Sequence, residues 1–111
     1  MKKNVSELIG FELDWAVGVA LGKVWSKTKY PFQPSTVWGD GGPIIEQACI
    51  FLIPLIAPYH TTEVWNAYTI EWDSDLPCWG NIGPTPLIAA MRCFVESKLG
   101  DEVDIPEELM K

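Results

Sequence analysis

Between Pro34 and Glu46 the chain reads Pro-Ser-Thr-Val-Trp-Gly-Asp-Gly-Gly-Pro-Ile-Ile-Glu. Two hydroxyls, an indole and three glycines stand ahead of Pro43. That proline suits the first position of a helix, where its missing N–H costs nothing. A helix from Pro43 to about Cys49 would leave the amides near Ile44 and Ile45 without an intrahelical acceptor. With Gly41 and Gly42 they would offer N–H groups to a phosphate or carboxylate at the positive helix end. Ser35 and Thr36 add hydroxyl donors, and Trp38 adds a face on which a base can stack. Asp40 repels an anion, so a cation, Lys23, Lys27 or Arg92, would have to offset it. The same residues also have a purely structural reading. Asp40, Ser35 or Thr36 can cap those amides themselves, and the turn then only folds the chain around Trp38.

Other chemistries lack their residues. Gly39, Gly41 and Gly42 are not followed by the Gly-Lys-Ser/Thr of a phosphate loop. His60 is the single histidine. No nucleophile and carboxylate stand beside it in a hydrolytic motif, so no catalytic residue is expected. Asp73 and Asp75 alternate in a loop without further oxygen ligands, which reads as solvated acids rather than a cation site. Cys49, Cys78 and Cys93 are too widely spaced for a zinc pattern, and their odd number gives no disulfide framework. Cys49 and Cys93 read as core thiols of a protein in a reducing compartment. No metal or cofactor is expected.

The elements that must position the turn follow from periodicity. Ser6 can cap a helix running to about Leu21, with Ile9, Leu13, Ala16, Val17, Ala20 and Leu21 as its core face and Gly22 as its stop. Phe11, Trp15 and Val19, spaced by four, form a second apolar stripe. They are the candidate interface of a homo-oligomer, or else the second covered face of a central helix. Lys23–Gln33 mixes lysines with aromatics and reads as an edge strand or hairpin guarded by lysine. Phe51–Ile56 reads as a buried strand. Val64–Trp72 is the clearest strand, with Val64, Tyr68, Ile70 and Trp72 on one face and Trp65, Ala67 and Thr69 on the other. Residues 73–83 are turn-rich. The last helix has Thr85 as N-cap, Pro86 as first residue, Leu87, Ile88, Met91, Phe94 and Val95 buried, and Gly100 as stop. Arg92 and Glu96 are spaced for an exposed ion pair. Val103 and Ile105 anchor an acidic tail. The order defines an α+β fold, a small antiparallel sheet packed by about three helices, in a single domain spanning residues 1–111.

Composition narrows the partners. The chain of 111 residues carries a net charge of −7. Residues 1–30 hold five lysines against three acids, and residues 31–111 hold three basic residues against twelve acids. An acidic body excludes ordinary duplex nucleic-acid binding, which needs a cationic surface to release counterions. The longest apolar run, Ala48–Tyr59, contains Pro54 and Pro58 and falls short of the ~20 residues that span a bilayer, so no membrane partner is expected. Six tryptophans in so short a chain are enough to supply much of its core, since each buries about 150–250 Å².

Several segments carry a family resemblance. Ser6-Glu-Leu-Ile-Gly, Leu13-Asp-Trp-Ala-Val, Pro34-Ser-Thr-Val-Trp, Gly41-Gly-Pro-Ile-Ile-Glu, Gly83-Pro-Thr-Pro-Leu-Ile-Ala-Ala-Met-Arg-Cys-Phe, Ser97-Lys-Leu-Gly-Asp-Glu-Val and Pro106-Glu-Glu-Leu resemble the NinX-like phage proteins. A weaker resemblance is to the phage α-β-α sandwich domain, where a leucine–aspartate helix also precedes a serine–threonine–tryptophan turn that opens a helix. The resemblance implies an accessory protein made in the host bacterial cytoplasm during infection, and brings no established activity with it. Two expectations follow. One is a non-enzymatic binder of a small anionic or nucleotide-like molecule, such as a counter-defence sponge for an immune signal. Its site would be Ser35, Thr36, Trp38, Gly41, Gly42 and Ile44 with Lys23 or Arg92. The other is an acidic interaction module that inhibits a basic host protein.

Overall fold

The computed structural model describes residues 2–22, 32–54, 64–69 and 80–106. The expectations for Lys23, Lys27, His60, Asp73, Asp75 and Cys78 lie outside those residues. The described elements run β1 (Lys2–Asn4), a 3-10 turn (Val5–Glu7), α1 (Phe11–Ala20), α2 (Trp38–Ala48), β2 (Ile50–Pro54), β3 (Trp65–Thr69), β4 (Gly80–Gly83), α3 (Pro86–Leu99) and β5 (Glu102–Asp104). The fold is α+β, three helices with two small antiparallel sheets.

α3 is the axis of the packing. Every residue from Leu87 to Val95 is buried, which a helix reaches only when other elements cover it on all sides. Its start follows from Thr85, whose Oγ1 accepts the Ile88 N–H at 3.1 Å, and from Pro86 at the first turn. α1 covers it with Leu13, Ala16 and Val17, all fully buried, and the sheet covers it with Ile50 and Ala67. β2, β3 and β4 form a meander in which Phe51 faces Tyr68 and Ile53 faces Asn66. Ala67 and Thr69 are buried, as the alternation of this strand requires. On the opposite face Phe51 stacks on Tyr68 at a centroid distance of 5.2 Å, and Phe51, Ile53 and Ile82 are exposed.

The chain's two ends are zipped together. β1 pairs with β5, Lys3 opposite Val103, and the Val5 N–H donates to the Asp101 carbonyl at 2.8 Å. Val103 and Ile105 are buried, as their role as anchors requires. Lys3 Nζ contacts both carboxylate oxygens of Glu12 at 2.9 Å, which ties β1 to α1.

Five expectations need correction. β2 is not a buried strand: it lies at the edge of the described sheet, with Phe51, Ile53 and Pro54 exposed. α1 begins at Phe11, because Ser6 lies in a separate 3-10 turn and Gly10 takes a positive φ ahead of the helix; Ile9 is therefore exposed. α2 begins at Trp38, five residues before Pro43, so the proline sits inside the helix. Arg92 and Glu96 form no surface ion pair. Arg92 is buried, its Nε donating to the Leu8 carbonyl and its Nη1 to the Ile82 carbonyl, both at 2.9 Å, while Glu96 accepts from Asn81 Nδ2. Cys49 is an exposed residue at the left-handed C-cap of α2, whereas Cys93 is buried, its thiol pushed up to about 12 by burial and by Glu96.

The early start of α2 makes Gly41 a packing residue. A Cβ there would lie 2.4 Å from the Pro34 carbonyl oxygen and 2.7 Å from Leu87 Cδ2, whereas at Gly42 it would meet open space. Gly41→Ala should therefore destabilise the protein by about 1–3 kcal/mol through overpacking. Gly42→Ala should also cost stability, because Gly42 precedes Pro43 and the proline ring crowds a Cβ on the preceding helical residue. Urea denaturation of the two variants checks both losses.

Candidate functional site

A buried carboxylate organises the turn between α1 and α2. Asp14 lies on the core side of α1 and is 2% exposed, yet its Oδ1 accepts the backbone N–H of Ser35 at 2.9 Å. From the other side, Asp40 in the first turn of α2 accepts the Gln33 N–H on its Oδ2 at 2.9 Å. The Gln33 carbonyl closes the turn by accepting from Thr36 and Val37. Two acids thus hold one turn, one reaching across the fold and one locally. Burial raises the Asp14 pKa above its ordinary value; the Ser35 hydroxyl and amide pull it back, and the charge of Asp40 pushes it further up. Neither acid caps the amides that follow. The N-cap of α2 is Val37, which has no side-chain hydrogen bond to give, and the Trp38 and Gly39 N–H groups find no acceptor among the described residues.

This turn meets the start of α3. Ser35, Thr36 and Trp38 on one side and Thr85, Pro86, Leu87 and Ile88 on the other line a cleft of about 240 Å³. Two helix N-termini therefore converge on one recess. Trp38 is 56% exposed, so its indole is not part of the core. Ser35 is fully buried; its Oγ is shielded from the cleft and close enough to the Asp14 carboxylate to lower that group's pKa, though short of hydrogen-bond geometry with any described group.

The structure brings together three of the residues singled out from the sequence: Ser35, Thr36 and Trp38. The others lie elsewhere. Gly41 is buried under Pro34 and Leu87, Ile44 is in the core, and Gly42 faces open space. Arg92 is held between two backbone carbonyls and lines no part of the cleft. Lys23 is outside the described residues. On α1, Phe11 and Val19 are exposed and Trp15 is half-buried against the core. The α3 half of the cleft was missed by sequence reasoning. Thr85 and Pro86 are legible as a helix start, but nothing local says that this start faces the other one. A second groove of about 310 Å³, lined by Ala20, Leu21, Ile44, Gln47, Ala48, Phe94 and Lys98, contains none of the turn residues. Among the described residues no group of three His, Cys, Asp or Glu side chains can hold a metal, and no helix is long and apolar enough to cross a membrane.

Fold and cleft together define a small α+β domain whose recess is built by two helix starts. The chain belongs to the NinX family: the family profile described as Bacteriophage P22, NinX matches residues 4–98. It is a phage protein, and the matched region contains α1, the turn, both helix starts and the sheet. No curated protein matches the chain.

The raised pKa of Asp14 has a defined sign. Between the ordinary aspartate value and the raised one, the folded state binds the proton more readily than the unfolded state, so this group's contribution to stability falls as pH rises through that window and is level above it. Asp14→Asn keeps an oxygen acceptor for Ser35 and removes the titration. The stability of the wild-type protein relative to Asp14→Asn should therefore rise on acidification through the window and be level above it. Asp14→Ala strands the buried Ser35 amide and should cost about 1–3 kcal/mol at any pH. Denaturation of the three proteins across the acidic range checks this.

Proposed function

We propose that this phage accessory protein is a non-enzymatic binder of a small nucleotide-like molecule, taken up in the cleft between the starts of α2 and α3. The observation that carries the reading is Trp38. A large indole, more than half exposed, stands at the mouth of a recess lined by Thr36, Ser35 and Thr85. Aromatic side chains hold flat rings by stacking, and a few polar groups beside them fix the ring's orientation. Sequestration of a host immune nucleotide is the role that fits a phage protein of this kind. The exposed Phe11 and Val19 on α1 support self-association of the binder.

A second reading is favoured by charge. With a net charge of −7 and exposed Glu7, Glu46, Asp101, Glu102 and Asp104, the surface also suits capture of a basic host protein. The two separate in one experiment. In a calorimetric titration against nucleosides and nucleotides, the ligand reading expects saturable binding that Trp38→Ala weakens, together with a stability gain of about 2.7 kcal/mol at 100 times the dissociation constant. Absence of any heat across the panel, with salt-sensitive binding to a purified basic host protein, would replace it with the second reading.

A further inference from the structure

The geometry points to a narrower ligand preference: the cleft recognises the uncharged planar base of a nucleoside, and a phosphate group weakens binding there. This deepens the ligand-binding reading of the same cleft and rests on it.

Electrostatics set the direction. A helix N-terminus carries the equivalent of roughly half a positive charge, so the two that converge here supply about one. Asp40, in the first turn of α2, cancels that by itself when ionised. Asp14 stands behind Ser35, close enough for the two carboxylates to feel one another. No lysine or arginine lines the cleft among the described residues. Arg92, the cation nearest in sequence to the α3 start, is locked to the Leu8 and Ile82 carbonyls. Pro86 removes the first N–H of α3, and the Ile88 N–H is already given to Thr85. A phosphate entering this recess finds no lysine or arginine among the described residues and a local charge of its own sign, in a protein that is acidic as a whole.

A neutral heterocycle finds matching groups. The indole of Trp38 supplies a stacking face. The Trp38 and Leu87 N–H groups, which have no acceptor among the described residues, can donate to a ring carbonyl or ring nitrogen. Thr36, exposed in the wall of the same recess, adds a hydroxyl. Size points the same way. At about 240 Å³ the cleft is smaller than the roughly 300–1,000 Å³ typical of sites for drug-sized ligands. Its volume suits a ligand of about nucleoside size.

The test is a calorimetric titration of the full-length protein with adenosine, guanosine, cytidine and uridine, with their 5′-monophosphates and with inorganic phosphate, at low and high salt. At least one nucleoside should bind as tightly as its monophosphate or more tightly, inorganic phosphate should give no heat, and nucleoside affinity should be insensitive to salt. Trp38→Ala should weaken nucleoside binding about ten-fold or more. Asp40→Asn, which keeps an acceptor for the Gln33 amide, should leave nucleoside binding unchanged and raise monophosphate affinity. Binding of inorganic phosphate, or monophosphate binding that exceeds nucleoside binding and fades with salt, would overturn base recognition while leaving a ligand site in place. Silence from every compound would overturn the ligand-binding reading itself.

Discussion

One hydrogen bond sets the geometry of this protein: the buried carboxylate of Asp14 on the backbone amide of Ser35. Placing an acid in a core is costly unless its lone pairs are used, and removing its partner would leave an amide equally stranded. The pair is therefore stable only together. It spans 21 residues of chain and fixes where the turn after α1 must lie, although α1 and that turn are separated by a long connection. Asp40 then fixes how α2 leaves the turn, through Gln33. The two acids serve the same few residues, and the charge of Asp40 raises the cost of ionising Asp14.

From that constraint the rest of the cleft follows. Pro34 and Ser35 are held against α1, so α2 begins at Trp38 and passes Pro34 closely enough that only a glycine fits at position 41. The same glycine lets α2 approach Leu87, which brings the start of α2 beside the start of α3. α3 in turn is clamped by Arg92, whose guanidinium binds carbonyls of the Leu8 segment and of β4 instead of facing solvent. The recess is thus a by-product of packing that leaves the Trp38 indole more than half exposed and the first amides of both helices without an acceptor among the described residues.

The sequence carried the elements better than their meeting points. α3 was legible in detail, since Thr85, Pro86 and Gly100 mark its ends and its apolar residues recur at helical spacing. The alternation of β3 and the anchoring of Val103 and Ile105 were also readable. α2 was misplaced because Pro43 is a strong signal for a first helical residue, while the Val37-Trp38-Gly39 stretch has no capping side chain to announce a start. The helix begins there because tertiary contacts of Asp14 and Asp40 hold the preceding turn, and a bond between residues 21 apart has no local signature. Arg92 was misread for a related reason. Spacing to Glu96 suggests a surface pair, but α3 is covered on every side, and a buried guanidinium takes the carbonyls within reach. Of the candidate site, the half on the turn was visible as residue types, and the half on α3 became visible only when the two helix starts were seen to converge.

The account stands on the Ser35 amide being held by Asp14 inside the fold. Amide hydrogen exchange read by NMR at neutral pH reports that bond at its own position. The Ser35 N–H should exchange as slowly as amides in the middle of α3, and Asp14→Ala should speed it while the α3 amides stay protected. Exchange of Ser35 in the wild-type protein at the rate of an open loop would contradict the account.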